Sequence, residues 1–259
     1  MQRLHTQTIP FENLNPLLKY TVNLNLNSLR EKLLRSGRGG YCFEQNALFA
    51  HNLELLGFKV KRLSARVLWN IPEGVTAPRV HMLLLVNLHQ EGKYIADVGF
   101  GGQSLTGPVK LVMEEAQQTP HKPFRIIPSG EEYILQSQVQ EQWKSLYLFS
   151  LLEQLPQDYE APNWYTSNHP KSIFTSNLIA ARTVPGQRYT LRNNEFTIHH
   201  MNGPSEKKII TDPEELKNML QEIFKINLAG LKGLDEKLEE IVRGRDKIIV
   251  GKAIYKRWC

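Results

Sequence analysis

The hydrophobic period changes near Val60, and that change constrains the fold more than any other feature of this 259-residue chain. Before it, "NSLREKLLRSGRGG" sets Leu29, Leu33 and Leu34 on one side of a predicted helix. Asn27 or Ser28 can serve as its N-cap, and a basic turn before Gly37 stops it. "CFEQNALFAHNLELLGF" repeats Phe43, Ala47, Ala50 and Leu53 or Glu54 at helical spacing and ends at Gly57. After Val60, "KVKRLSARVLWN", "RVHMLLLVNL" and "KYIADVGFGG" are rich in β-branched and apolar residues and are bounded by turn clusters such as "HQEG". "KPFRIIP", "EEYILQSQ" and "QWKSLYLFS" continue that pattern beyond Gly107 and Pro108, so the middle of the chain reads as a meander or barrel.

The passage "LPQDYEAPNWYTSNHPKS" separates this middle from a final third of mixed character. There "SIFTSNLIAARTV" and "RYTLRNNEFTIHH" predict strands, and "TDPEELKNMLQEIFKINL" predicts a helix reaching to about Leu228. Thr211 or Asp212 can cap that helix, Pro213 suits its first position, and Glu214 and Glu215 favour its positive end. The expected class is α+β, helical first, then β, then mixed.

Composition narrows the function. With 41% hydrophobic and 22% charged residues the chain is an ordinary globular protein. Its apolar runs are broken well short of the ~18 residues of a membrane helix, and "MQRLHTQTIPF" is no signal core, so a cytoplasmic location is expected. The net charge of +6 is partly local, because "RGRDKIIVGKAIYKRWC" carries six Lys or Arg against one Asp. Aromatic and basic residues are not interleaved as a nucleic-acid groove needs, and a nucleic-acid partner is not expected. Two cysteines, Cys42 and the terminal Cys259, make neither a disulfide framework nor a metal quartet. His199 and His200 have no Cys or acidic cluster near them in sequence and read as strand or surface residues, so no metal is expected.

Cys42 stands where a helix begins, behind Gly39 and Gly40, which would let the backbone turn sharply and leave the sulfur accessible. A helix N-terminus or an imidazolium neighbour promotes the attacking thiolate. A lone Cys among aromatic residues is, however, more often a core residue. His81, near the start of an apolar strand, is an expensive core residue without a partner, and Asp97 is a charge in an apolar run. If "HQEG" joins their strands in a simple hairpin, the two fall about three rungs, or ~10 Å, apart, so contact requires a bulge or a bend near Gly99. Asp97 reads equally well as a cap on the Gly-rich turn that follows it.

"IPFENL", "RGGYCFEQN", "ARV", "HMLLLV", "ADVGFGG" and "NWYTSNHP", in this order and spacing, resemble the arylamine N-acetyltransferase family from about Ile9 to Leu228. That resemblance implies a helical bundle over 1–60, a β-barrel over 61–165 and an α/β lid with the basic tail over 166–259. It implies a Cys42, His81 and Asp97 triad working by a ping-pong route with acetyl-CoA and an arylamine, arylhydrazine or arylhydroxylamine. Phe11, Val67 and Phe100 resemble the family's amine pocket, although composition alone favours plain core packing for each of them. Gly99, Gly101 and Gly102, in "GFGGQS", resemble the loop that approaches the acyl donor. The chain opens in what reads as the middle of a helix, so a shortened first domain is expected. A thiol hydrolase or amide-forming relative with the same triad, or a non-catalytic shortened relative, are the competing readings.

Overall fold

A computed structural model describes residues 1–72, 74–201 and 203–244. The basic tail with Trp258 and Cys259 lies outside the described residues.

The first sixty residues are helical apart from one short strand. They form α1 (Gln2–Thr8), β1 (Phe11–Glu12), α2 (Leu14–Leu17), α3 (Leu26–Leu29) and α4 (Cys42–Leu55). The cap of α3 is Asn25 rather than Asn27 or Ser28, because its side chain accepts the Ser28 amide at 2.8 Å. α3 runs on through a wider π-type turn, Arg30–Arg35, which buries Leu33 and leaves Leu34 exposed, so the expected one-sided leucine stripe is broken. α4 ends as expected near Gly57, which takes φ +84°.

Eight antiparallel strands follow: β2 (Lys59–Val67), β3 (Arg79–Asn87), β4 (Lys93–Ala96), β5 (Val109–Lys110), β6 (Gln117–Gln118), β7 (Pro123–Ser129), β8 (Glu132–Val139) and β9 (Gln142–Glu153). Their order is β5-β4-β3-β2-β9-β8-β7-β6. The two end strands approach one another, with the Gln117 side chain bonded to both the amide and the carbonyl of Lys110, so the sheet is a nearly closed barrel. Alternation along the strands separates two cores. Leu63, Leu83, Leu85, Ile95, Phe124, Leu135 and Phe149 fill the interior, while Met82, Leu84, Val86 and Ala96 pack outward beneath α4.

The final third carries α5 (Glu160–Asn168), α6 (Ile173–Ser176), β10 (Ile179–Val184), β11 (Gln187–Arg192), β12 (Glu195–His200), β13 (Glu206–Ile209), α7 (Pro213–Glu222) and α8 (Leu234–Val242). "SIFTSN" is not the start of a strand, because Ser172 caps a helical turn there by accepting the Phe174 amide. Asp212 caps α7 through the amides of Glu214 and Glu215, but the helix stops at Glu222 and not near Leu228, and Lys225 then takes φ +58°. α8 carries no expectation from sequence; it contributes Leu234, Leu238 and Ile241 to the core. No described helix is long and apolar enough to cross a membrane.

β1 belongs to the second sheet, ordered β1-β10-β11-β12-β13, through Phe11 opposite Ala181 and Glu12 opposite Ala180. Leu14 and Leu17 accordingly pack with Leu191, Phe196, Leu220 and Phe224 in the C-terminal core. Leu14→Ala is expected to lower stability by roughly 2–5 kcal/mol, the range for emptying a fully buried leucine site. Denaturant unfolding measures it, and a change below about 1 kcal/mol would contradict a core shared by both ends of the chain.

Candidate active site

Three polar residues follow the thiol in "CFEQN", and all three are buried. Each spends its side chain on a different neighbour, as buried polar groups must. Glu44 accepts the Tyr41 amide at 3.1 Å, closing the first turn of α4, and takes the Lys32 ammonium at 2.6 Å. Gln45 donates to the carbonyls of Pro10 and Gly40 and bonds His5 at 2.6 Å. Asn46 donates to Met82 O at 2.7 Å and to Asp97 Oδ1 at 2.9 Å, and accepts the Val98 amide at 3.0 Å. The start of α4 is thereby bolted to the strands that carry His81 and Asp97. Glu12 adds a second buried carboxylate, paired with Arg38 at 2.7 Å. Gly39 serves close approach and not the sharp turn expected of it: a Cβ there would lie 2.1 Å from Pro10 O, and the positive φ in this stretch belongs to Gly37.

Cys42 is 6% exposed, with Sγ 3.7 Å from Val80 O. That carbonyl is available because Val80 is a bulge: Ala65 pairs with His81 and Arg66 with Arg79, so Val80 has no partner on β2. On the other side of β3 the register differs by one residue from a simple "HQEG" hairpin. Asn87 faces Lys93 and Leu84 faces Ala96, which extrapolates to Asp97 opposite Leu83. Asp97 then shares a face with His81, two residues further along, within diagonal reach for long side chains. His81 Nε2 lies 2.7 Å from Asp97 Oδ2. Both readings of Asp97 hold at once, because its other oxygen, Oδ1, accepts the Gly99 amide at 2.8 Å and caps the turn.

Burial opposes a charge on either group, and their pairing outweighs it. His81 is pushed up to about 10 by Asp97 and by its contact with Cys42. Asp97 is held below the usual carboxylate range by His81, Asn46 and the Gly99 amide. Phe100 and Tyr147 pack on the imidazole, each with its ring centroid 4.9 Å away. Burial and the charge of Asp97 keep the Tyr147 hydroxyl neutral by pushing it well above its ordinary value.

Cys42 and His81 open into a mostly apolar cavity of about 630 Å³ of empty space. Phe11, Val67 and Phe100 all line it. So do Tyr165, which sequence reasoning passed over as part of a linker, and Ile173 and Phe174, which it placed in a strand. Phe174 stacks on Tyr41 at 5.6 Å and lies 6.0 Å from Phe11. The only hint of this wall in the sequence is the density of aromatics in "NWYTSNHPKSIF".

The family model described as "N-acetyltransferase" matches residues 1–233. The arylamine N-acetyltransferase of Escherichia coli K12 is 43% identical over 230 residues, covering 88% of this chain and 81% of that one. The arylamine N-acetyltransferase of Mycobacterium tuberculosis H37Rv is 38% identical over 245 residues, covering 92% and 86%. The chain belongs to the arylamine N-acetyltransferase family. Among solved structures, the Mycobacterium marinum enzyme in complex with CoA superposes with a TM-score of 0.89 at 35% identity, covering 96% of this chain and 91% of that one. The Mycobacterium smegmatis enzyme gives 0.89 at 36% identity, covering 93% and 89%.

This acetyltransferase packs its Gly-rich turn against the helix that begins at Cys42. A Cβ on Gly99 would stand 2.5 Å from the Cys42 Cα. Its amide is already committed to Asp97, while Gly101 and Gly102 line a second cavity behind Phe100. Gly99→Ala is expected to displace the start of α4, costing roughly 1–3 kcal/mol of stability and most of the acetyltransferase activity. Thermal denaturation and turnover measured together check this, and a variant with unchanged activity would refute the close packing.

The sign of the His81 shift gives a second expectation. A proton held more tightly in the folded chain stabilises it fully below about 6.5, and that contribution is lost as pH rises through about 10. Between these values the melting temperature of the native chain should fall more steeply than that of Asp97→Asn. Parallel slopes would show that Asp97 does not hold the proton.

Proposed function

We propose that Cys42, His81 and Asp97 form the catalytic triad of an acetyl transfer from acetyl-CoA to the nitrogen of an arylamine, arylhydrazine or arylhydroxylamine, by a ping-pong route through acetyl-Cys42. The observation that carries this reading is the 2.7 Å bond from Asp97 to His81 on the wall of the cavity that Cys42 enters. Asp97 fixes Nε2 as the protonated nitrogen and leaves Nδ1 for the thiol. The relatives' names and the CoA complex of the Mycobacterium marinum enzyme support the choice of donor and acceptor.

In the first half-reaction the Cys42 thiolate attacks the thioester carbonyl carbon. The new C–S bond forms as the bond to the CoA sulfur breaks, and His81 delivers the proton that CoA carries away. In the second, the amine nitrogen attacks the acetyl carbon of acetyl-Cys42. His81 accepts the amine proton and the cysteine sulfur leaves, restoring the starting pair. An aromatic amine is unprotonated at neutral pH and enters an apolar site without losing a charge's hydration. Phe11, Val67 and Phe100 supply that surface, joined by Phe174 from α6. The same apolar lining favours transfer over hydrolysis, since it gives water few hydrogen-bonding partners.

Mass spectrometry tests the covalent step. Mixing with acetyl-CoA should add one acetyl group to the Cys42 peptide, and an arylamine should remove it. Cys42→Ala should show neither adduct nor turnover, and Asp97→Asn should lose on the order of 10²–10⁴ in kcat. A native protein that turns over amine without acetylating Cys42 would overturn the route.

A further inference from the structure

The cavity that Cys42 enters is apolar over most of its lining, and two of its polar groups are engaged neither by Cys42 and His81 nor by the fold. Thr166 on α5 is 2% exposed, and its hydroxyl is enclosed with no hydrogen-bond partner among the described residues. A buried hydroxyl in that state costs roughly 1–3 kcal/mol of stability unless a ligand answers it. Lys171, in the turn between α5 and α6, lines the same cavity and is also exposed, which puts it at the opening. No described carboxylate pairs with Lys171, and no Asp or Glu is among the residues that line the cavity.

The two groups belong to one wall. Ser172 Oγ donates to Thr166 O at 2.6 Å and accepts the Phe174 amide at 3.2 Å. The Lys171 amide donates to His169 Nδ1 at 3.1 Å, and the His169 ring stacks on Tyr165 with centroids 4.5 Å apart. The turn that carries Lys171 is thereby held against the end of α5, beside Thr166. An apolar slot that offers a free hydroxyl and ends at a cation suits a flat ring with an anionic group on it. The ring is buried, and the charge is met by the ammonium where water still reaches it. Once Cys42 carries an acetyl group, no residue of the lining opposes a negative substituent.

We propose that Thr166 and Lys171 select, among aromatic amines, those whose ring carries an acidic substituent such as a carboxylate. This rests on the reading of Cys42 as the acetyl carrier and names the class of acceptor that the site prefers. The amine nitrogen meets the acetyl carbon, and the ring lies among Phe11, Phe100 and Phe174. One carboxylate oxygen accepts the Thr166 hydroxyl, and the group faces the Lys171 ammonium, a charge-assisted contact. A phosphate of the donor is the other anion that an ammonium at the opening meets, and the kinetics separate the two.

Two acceptors of nearly the same shape isolate the charge: para-aminobenzoate and its neutral amide, para-aminobenzamide. The ratio of kcat/KM for the acid to that for the amide should fall about fivefold in Lys171→Met and about tenfold or more in Lys171→Glu. Lys171→Arg should keep the ratio within about twofold of the native value, and Thr166→Val should lower it about threefold or more. Added salt should lower the native ratio and leave that of Lys171→Met unchanged, because the contact lies at the opening. Thr166→Val should melt no lower than the native chain, since it removes an unpaired buried hydroxyl. Native ratios in both Lys171→Met and Lys171→Glu, or a raised KM for acetyl-CoA in place of the changed ratio, would overturn the proposal. Calorimetry with the two amines and no donor is an independent arm: the native chain should bind the acid more tightly than the amide, and Lys171→Met should lose that preference. If neither amine is acetylated while this preference holds, the acetyl-transfer reading fails and the acid seat stands. Equal affinities of the native chain for acid and amide overturn the seat itself.

Discussion

Asp97 is a fully buried carboxylate, and an isolated charge in that position would be worth several kcal/mol of instability. Three donors answer it: the Asn46 amide and the Gly99 backbone on one oxygen, and the His81 ring on the other. Each comes from a different element, so satisfying one charge fixes α4, β3 and the Gly-rich turn against each other. Glu12 and Glu44 repeat this arrangement one layer away, with Arg38 and Lys32 as partners. The thiol stands at the point where these obligations meet, and its geometry follows from theirs.

Much of this was legible in the residues. The change of period at Val60, the helix beginning at Cys42 and the cap on α7 follow from local chemistry, and the structure keeps them. The contact between His81 and Asp97 was not legible from a ladder. The turn after β3 holds five residues, Leu88 to Gly92, and not the four of "HQEG", and that one residue moves Asp97 to the face His81 occupies. The bulge at Val80 has no signature in the sequence either. Tyr165 and Phe174 were hidden for other reasons: Tyr165 sits in a stretch whose Pro and Asn content reads as a connector and Phe174 in one that reads as a strand, yet the two lie on short helices, α5 and α6, against the cavity. The motif resemblance singled out Cys42, His81 and Asp97, and the buried polar bonds of Glu44, Gln45 and Asn46 give the physical reason those residues accompany them.

The cavity that Cys42 enters and the one behind Phe100 differ in their lining. The first is lined by aromatic rings from three parts of the chain and offers mostly apolar surface. The second sets Gln103, Thr190 and His199 beside Gly101 and Gly102. Phe11 and Phe100 are walls of both.

β1 has only two residues, yet it joins Phe11 to a strand from the far end of the chain. Cys42, His81 and Asp97 lie within residues 42–97, whereas the enclosure needs α5, α6 and β10. Reactivity and enclosure are therefore separated along the chain. During synthesis Cys42, His81 and Asp97 emerge well before the segment that will cover them. A chain that breaks near residue 160 would carry the chemistry of the site without the means to choose what enters it.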